Sequence, residues 1–404
     1  LPAETKIPLT IDIPGGIESV ENYPVRFGVP LPIGAAWDIK GLRLVDSSGR
    51  EIPSQVETAG RWAAEGSIKW VLADALVSGK NGDRIYMMPG ERSAASIPSP
   101  GVTVTRSGRG EILEIDTGSA RYTVAPEGSL IKEALFNGQV VAREGNGRGL
   151  YLIDQDGRLA RASGREAVMK IEASGPISAV VRIEGFYSTA GGENLARHIT
   201  RLHFYAGRPE VSAVHTLILI RDTNQVWFRE VGWEFDTPAG GGAKALFSLA
   251  SGKGDDVQSI PLAQKDKVNI LQKEGINLGL KPVSFSQWKK AAPSTPWTPC
   301  LHGKSVFEIS RTGKQKTTYQ GNMGDWAAVA GRNGGWIISC RDAAAQHPKE
   351  FELSAGRVNL KLFSPSSGRE LDFRMESIGS GEWRGKYREN KKRKQGNCSL
   401  QLTM

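Results

Sequence analysis

Three side chains that could carry acid–base chemistry alternate within one apolar segment of the 404-residue sequence. Arg201, His203 and Tyr205 supply a cation, an imidazole and a phenol hydroxyl, and the apolar Leu202 and Phe204 lie between them. If this segment is a β-strand, the three polar side chains share one face at about 7 Å spacing. They could then contact one small ring-shaped substrate, where the cation stabilises an anion and the other two transfer protons. The polar face of a solvated outer sheet would show the same alternation, so both interpretations stay open.

Other catalytic signatures are missing from the sequence. Gly240-Gly241-Gly242 lacks the Lys-Ser/Thr of a phosphate-binding loop, and no zinc-binding or nucleophile-elbow motif is found. Asp325 and Glu350 are acidic, but nothing around them marks a pair of carboxylates for glycoside hydrolysis. His198 is expected at the surface, and His215, which lies in an apolar strand, is expected in the core. We therefore expect no metal site and no cofactor.

The net charge of +9 is concentrated near the C-terminus. The stretch from Lys386 to Lys394 carries six basic residues and one acidic residue, which leaves +4 for the rest of the chain. A short run of this kind is typical of a solvated, disordered segment rather than a nucleic-acid site. The mildly basic remainder suits an anionic polymer without requiring one. No apolar run approaches the roughly 20 residues that span a membrane. Because the charge is local and no such run is present, we expect neither nucleic acid nor membrane as a partner.

Cysteine use and the N-terminal residues bear on the cellular location. Cys300, Cys340 and Cys398 are too few for a disulfide scaffold and lack metal-ligand spacing. A Cys300–Cys340 bridge and two free buried thiols both fit this pattern. The start at Leu1 is compatible with a removed signal peptide and equally with a trimmed start. We expect an extracellular or periplasmic monomer.

The composition and the turn spacing predict an all-β protein. The 48 Gly and 21 Pro are typical of a turn-rich chain, and no long amphipathic helix is evident. The small, proline-punctuated segment Ser93–Pro100 is the best linker. It divides the chain into domains at 1–96 and 97–375, followed by a truncated or disordered basic tail at 376–404. Short strands with turns between them favour a sandwich or a barrel. Strands are expected at Ile112–Thr117, Arg121–Ala125, Ala167–Ala173, Ala179–Tyr187, Arg201–Tyr205, Val211–Ile220 and Arg357–Phe363.

Two N-terminal segments and several later ones carry a resemblance to a known family. Pro24–Pro32 is a strand interrupted by prolines, which cannot lie mid-sheet with every amide paired. Gly66–Asp74 is typical of a buried strand. Together they resemble the N-terminal RIFT-type barrel of the exo-rhamnogalacturonan lyase-like family, and Arg197–Pro209 with the following Val214-His215-Thr216 resembles its central β-sandwich. Further segments follow the family's order: Gly324–Val329, Gly335-Trp336, Cys340–Asp342, His347–Glu350 and Arg369–Arg374.

This resemblance implies a fold, a substrate class and a reaction. The fold would be a small N-terminal RIFT-type β-barrel followed by a large antiparallel β-sandwich. The substrate would be a rhamnose- and uronate-containing acidic polysaccharide or oligosaccharide, cleaved by β-elimination. Arg201, His203 and Tyr205 are the catalytic candidates, with Arg201 expected on the sugar carboxylate.

The neighbouring residues of Lys69, Trp227 and Arg229 suggest substrate binding, each with a structural alternative. Lys69 could contact the sugar, or pack its stem over apolar surface with the ammonium in water. Arg229 follows Trp227-Phe228, an arrangement that suits sugar binding and equally a plain cation–π contact. Most tryptophans are expected in the core, although some could provide stacking platforms; the candidates are Trp37, Trp62, Trp227, Trp233, Trp288 and Trp297.

The resemblance also leaves a second function open. In the family a long helical domain, an α/α toroid, follows the sandwich and provides much of the catalytic cleft. Here the composition changes to polar and lysine-rich after Tyr387. The alternative function is therefore a non-catalytic carbohydrate-binding or scaffold β module.

Overall fold

The structure is a computed structural model of an all-β protein. It describes residues 6–13, 16–63, 66–90, 98, 100–107, 112–250, 255–274, 306–341, 343, 346, 348–368, 370–371 and 399–403. Within these ranges there is no α-helix, and therefore no helix able to cross a membrane. The helical elements described are two 3₁₀ turns, Ile39–Gly41 and Pro365–Ser367. The all-β prediction is confirmed.

The strands are numbered along the chain. In the N-terminal unit they are β1 Ile7–Thr10, β2 Ser19–Pro30, β3 Leu42–Asp46, β4 Ser54–Arg61, β5 Ile68–Lys80 and β6 Arg84–Pro89. The next group is β7 Thr103–Ser107, β8 Ile112–Asp116, β9 Ala120–Val124, β10 Ile131–Phe136, β11 Gln139–Arg143, β12 Leu150–Asp154, β13 Leu159–Ser174, β14 Ser178–Thr189, β15 Asn194–Tyr205, β16 Val211–Leu219 and β17 Phe228–Asp236. The remainder are β18 Lys244–Ala250, β19 Asp255–Pro261, β20 Lys267–Glu274, β21 Val306–Arg311, β22 Thr317–Gln320, β23 Asn322–Gly331, β24 Gly334–Ser339, β25 Glu350–Ser354, β26 Arg357–Phe363 and β27 Ser399–Thr403.

The N-terminal unit consists of two three-stranded antiparallel sheets, β1-β6-β3 and β2-β5-β4. Their inner faces share a core that includes Val29, Leu44, Val71 and Met87. No pairing between its described strands joins the two sheets into a closed barrel. The predicted barrel is therefore seen here as two facing sheets around one core.

The prolines of β2 lie at a sheet edge, as the sequence predicts. Among the described strands, β2 pairs only with β5. The amide of Leu31 donates to the carbonyl of Lys69 at 2.9 Å, so the N–H groups of odd-numbered residues here point toward β5. The nitrogens of Pro24 and Pro30 therefore face the free edge, where no ladder bond is lost.

The larger unit is built around β17, which is paired along both edges. One edge carries β26, and the other carries β12 followed by a single pairing with β11. Three antiparallel series extend from this strand: β12 to β16 and then β27, β11 back to β7, and β26 through β25 and β20 to β22. A separate four-stranded sheet has the order β19-β18-β23-β24.

The series fold over one another to enclose a single apolar core. The Tyr122 ring on β9 lies 5.0 Å from the Phe204 ring on β15, measured between centroids. Trp233 and Phe235, on the inward face of β17, are 5.5 Å apart in the same core. Leu76 of β5 also belongs to this core, so the N-terminal unit docks directly on the larger one.

The predicted linker and tail are covered only in part. Residues 91–97 and 99 of the linker region and 376–398 of the tail lie outside the described residues, as do Cys300 and Cys398. Cys340 is buried. Ser399–Thr403 forms β27 beside β16, which differs from the disorder predicted for the tail. The charge run behind that prediction ends at Lys394, before this alternating segment begins.

Two histidines lie in the core of the large sheet. His215 is fully buried, as predicted, but His198 is also fully buried, so its predicted surface position is wrong. His215 hydrogen-bonds through its two ring nitrogens with Tyr187 Oη at 2.9 Å and Thr200 Oγ1 at 2.8 Å. His198 Nδ1 also contacts Thr200 Oγ1, at 3.2 Å. Burial lowers the pKa of His198 to about 4 and that of His215 to about 3, with smaller contributions from Arg197 and from His198 respectively.

We predict that acid destabilises the fold through these two histidines. Both folded-state pKa values lie below the usual 6.5, so the unfolded chain binds protons that the folded core excludes. Their contribution is complete above pH 6.5 and declines as pH falls toward 4, by up to about 1.4 kcal/mol per pH unit for each histidine. Urea unfolding across this range measures the slope. The His198→Gln variant, which cannot take up that proton, should have a shallower slope, and an unchanged slope would contradict the prediction.

Candidate functional site

Strand β15 presents the predicted catalytic triplet on one face. Leu202 and Phe204 are fully buried in the core, whereas Arg201, His203 and Tyr205 lie on the opposite face and are partly exposed. This opposite face is not an open outer surface, because the N-terminal unit covers its Tyr205 end. The structure therefore brings the triplet together at the junction of the two units.

A buried carboxylate from the N-terminal unit reaches this junction. Asp74 on β5 is 2% exposed, and its Oδ2 accepts a 2.8 Å hydrogen bond from the Ser178 hydroxyl on β14. Ser178 is the residue paired with Tyr205 across the β14–β15 ladder. The side chain of Gln55 on β4 also accepts from the Ser178 amide, at 3.4 Å. Polar contacts from two neighbouring N-terminal strands thus meet the end of β15.

Arg26 is the cation of this junction. Its guanidinium donates to Asp74 Oδ2 at 2.8 Å and to Glu57 Oε1 at 2.6 Å. Two buried atoms nearby, Asp74 Oδ1 and His203 Nδ1, have no hydrogen-bond partner within the protein. We refer to Arg26, Asp74, Ser178, His203 and Tyr205 as the junction cluster. It can both donate hydrogen bonds to a hydroxyl-bearing ligand and accept them from one.

The surroundings of the cluster fix the protonation of its members at neutral pH. Burial, together with the charges of Arg26 and Arg201, lowers the pKa of His203 to about 4, so the imidazole is neutral. Burial and the negative charge of Asp74 raise the pKa of Tyr205 to about 12, so the phenol keeps its proton. His203 is therefore suited to accept a proton and Tyr205 to donate one.

Arg201 is already paired with a carboxylate. Its Nε and Nη2 atoms donate to the two oxygens of Glu172 at 2.7 and 3.1 Å. Glu172 also lies 3.7 Å from Arg182. Desolvation raises the pKa of Glu172, but its bonds and charge interactions with Arg201 outweigh this, and the net pKa is below its usual value. A substrate carboxylate would have to share Arg201 with Glu172.

A cleft of about 800 Å³ lies beside the junction cluster, with Tyr205 in its wall. Tyr23 from the N-terminal unit and Trp336 from β24 line it as well. The Trp336 ring packs 5.4 Å from Phe235. Arg208 and Glu210 add a bidentate ion pair to the cleft lining. We refer to this space as the aromatic cleft; its volume lies within the range of small-molecule sites.

The predicted substrate-binding residues lie on two other elements. The Lys69 ammonium on β5 is 4.7 Å from the centre of the Trp62 ring, so its cation lies over an aromatic face. Trp227 Nε1 and Arg229 Nε, at the start of β17, both donate to Glu370, at 2.7 and 3.1 Å. The structure thus joins Trp227 to Arg229 through Glu370.

The remaining tryptophan candidates separate into core and surface. Trp233 is buried, and Trp37 is 59% exposed. Trp62 donates its indole N–H to the carbonyl of Leu31 at 3.2 Å. Trp288 and Trp297 lie outside the described residues.

A second polar network, missed at the sequence level, covers the outward face of β17. Arg148 pairs with Glu230 at 3.0 Å and with Glu234 at 3.2 Å, and its guanidinium lies 3.8 Å from the centre of the Tyr151 ring. Tyr151 donates to Glu230 and accepts from Asn359 at 3.0 Å. In the sequence, Glu230 and Glu234 alternate with apolar residues, and this pattern could have indicated a polar face on β17.

Carboxylates elsewhere have structural partners. Glu350 accepts from Asn269 and Ser364 and pairs with Lys361, and Asp325 accepts from the amide of Ala343. Within the described ranges, no three His, Cys, Asp or Glu residues are arranged to hold a metal ion.

Comparison with known proteins adds a family signal for part of the chain. Residues 102–244 match the family described as the PcRGLX-like protein central beta sandwich domain. "Uncharacterized protein YetA" of Bacillus subtilis (strain 168) is 26% identical over 220 residues, which cover 52% of this chain and 25% of that protein. The chain thus matches about a quarter of the length of this curated relative. The sequence resemblance is confirmed for the central sandwich domain, and β15 with the triplet lies inside it.

One solved structure covers nearly the whole chain but only weakly. It is a protein in glycosyl hydrolase family 38 from Enterococcus faecalis, with a TM-score of 0.38 and 9% identity. The superposition covers 98% of this chain and 45% of that one. A similarity at this level supports no conclusion about function.

We predict that the Arg26→Met variant raises the pKa of His203. Removing this neighbouring charge should move the value from about 4 toward 6.5 without reaching it, because burial is the larger cause. An NMR titration of the imidazole measures the change. Arg121→Met removes a cation paired with Asp116 elsewhere and serves as the control. An unchanged His203 pKa in Arg26→Met would show that the two units do not meet at this cluster.

Proposed function

We propose that this chain is a polysaccharide lyase-like protein acting on rhamnose- and uronate-containing acidic polysaccharide, such as rhamnogalacturonan, by β-elimination. One observation carries the proposal: a neutral imidazole and a protonated phenol stand on one strand face beside a cleft, with a guanidinium next to them. The match of residues 102–244 to a PcRGLX-like domain supports a relation to polysaccharide-degrading proteins. The assignment of a RIFT-type barrel beside a sandwich belongs to the same proposal.

The proposed reaction uses each member of the triplet for one task. His203 takes the proton from C5 of the uronate, and the electron pair of that C–H bond forms the C4–C5 double bond. The C4–O bond breaks, and Tyr205 donates its proton to the leaving oxygen. Arg201 stabilises the charge that develops on the carboxylate during proton removal. His203 Nδ1 is buried and has no hydrogen-bond partner within the protein.

The substrate would reach the triplet through the aromatic cleft. Tyr205 belongs both to this cleft and to the junction cluster, so a sugar held in the cleft would contact the proposed proton donor. Trp336 and Tyr23 offer aromatic surface for the apolar faces of sugar rings. In this proposal the partner is an acidic polysaccharide or oligosaccharide, and the protein is an extracellular or periplasmic monomer.

A second candidate function is supported by the pairing of Arg201. Because Glu172 already binds this guanidinium through two hydrogen bonds, the β15 face is largely neutralised in the absence of substrate. A non-catalytic carbohydrate-binding or scaffold module would need no free cation there. Binding of acidic oligosaccharide without formation of unsaturated uronate would favour this second function.

We predict that substitutions in the triplet reduce formation of unsaturated uronate, which is measured by ultraviolet absorbance. Arg201→Ala should lower turnover by about 10²–10³-fold, and His203→Ala and Tyr205→Phe by about 10²–10⁴-fold. Arg121→Ala removes an exposed, ion-paired arginine on β9 and should leave turnover unchanged. Circular dichroism verifies that each variant is folded. Full activity in all three triplet variants would place the reaction elsewhere.

A further inference from the structure

The sheet β2-β5-β4 has an outer face that continues from the junction cluster. Val71, Ala73 and Ala75 of β5 point into the N-terminal core. The alternate residues of β5 therefore lie on the other face, which begins at Leu76 in the core of the larger unit and passes through Asp74. It ends at Trp70, which is 43% exposed. The face is therefore covered at one end and open at the other.

The exposed indole of Trp70 packs against the backbone of the neighbouring strand. Pro30 is its paired residue on β2, and Gly28 is the next residue of β2 on the same face. A Cβ placed on Gly28 would lie 3.6 Å from two atoms of the Trp70 ring, an ordinary van der Waals distance, so the ring lies against this position of β2. One side of the indole is thus supported by protein, and the ring remains partly open to solvent.

Hydrogen-bonding groups follow the indole along the same face. Arg26 is paired with Asp74 in the β2–β5 register, and Glu57 is paired with Leu72 in the β4–β5 register. Four residues separate Trp70 from Asp74, or about 13 Å along the strand. The Arg26 guanidinium bridges both carboxylates; Glu57 is partly exposed, whereas Asp74 is buried at the covered end of the face. We name Trp70, Gly28, Arg26 and Glu57 the Trp70 strip, which ends where Asp74 is buried.

This chemistry matches a neutral sugar residue. A pyranose ring has an apolar C–H face that packs on an indole, and a rim of hydroxyls that donate to carboxylates and accept from a guanidinium. The guanidinium of the strip is already paired with Glu57 and Asp74, which disfavours a second uronate there. The cations Arg201 and Arg182 lie on the neighbouring β-sandwich face, beyond His203.

We propose that the Trp70 strip binds a neutral pyranose residue of a glycan whose uronate lies at the β15 face. The inference rests on the proposed function, because it takes the uronate to be at Arg201, His203 and Tyr205. It adds a subsite contributed by the N-terminal unit, in which Trp70 is the stacking residue. Both units would then contact a single glycan chain.

Binding to two sets of uronate-containing oligosaccharides tests the subsite. One set alternates neutral and uronate residues, and the other contains uronate alone; affinity is measured by calorimetry at increasing chain length. Trp70→Ala should weaken binding of the longer alternating oligosaccharides by about three- to tenfold, and Trp70→Phe should recover part of the loss. Neither variant should change binding of a single uronate residue.

A matched control separates stacking at this site from exposed tryptophan in general. Trp37 is 59% exposed, lies in the loop after β2 outside the strip, and should tolerate replacement by alanine without loss of affinity. Equal binding by wild type and a folded Trp70→Ala variant overturns the subsite alone, as does an equal loss in Trp37→Ala. If the wild-type chain binds neither set, the subsite and the proposed function are both overturned.

Discussion

The buried carboxylate of Asp74 is the contact on which the arrangement of the site depends. Its burial raises its pKa, and the nearby Arg26 and the Ser178 hydroxyl partly offset that effect. A buried charge that loses one of its partners is strongly destabilising, so these three groups must stay together once the units have docked. Since Ser178 pairs with Tyr205, the same contact fixes the end of β15 relative to the N-terminal unit. The same contact therefore determines both the geometry of the site and the docking of the two units.

Strand β17 has one face in the apolar core and the other face in a polar network. Trp233 and Phe235 fill the core, while Glu230 and Glu234 on the other face are held by Arg148 and Tyr151. These carboxylates are close to fully buried, so their pairing is a condition of burying them rather than a sign of reactivity. The junction cluster differs because two of its buried polar atoms lack protein partners. That difference is the physical basis for placing the candidate site at the junction.

Period-2 alternation made part of this structure predictable from the sequence. It correctly separated Leu202 and Phe204 from Arg201 and His203, and the prolines of β2 correctly predicted an edge strand. Applied a little further along β15, the same rule would have placed His198 inside, because it has the parity of Leu202. The predicted surface position is wrong because β15 begins at Asn194, so His198 lies inside the strand and not at its end.

Alternation along one strand does not predict contacts between distant segments. Asp74 and Ser178 are 104 residues apart, and nothing local in either segment identifies the other as its partner. The ion pair between Arg201 and Glu172 likewise depends on the register of β13, β14 and β15. In the sequence, Asp74 follows an apolar run, which indicates a buried carboxylate. That pattern does not identify the segment against which the carboxylate packs.

The edge position of β2 has a consequence for self-association. An exposed strand edge normally offers a continuous row of amides to which another chain can add a strand. Here the nitrogens of Pro24 and Pro30 face that edge and carry no hydrogen, so an incoming strand would lose two of its ladder bonds. The open side of the N-terminal sheet can thus remain in water beside the Trp70 strip without becoming a template for intermolecular β-pairing.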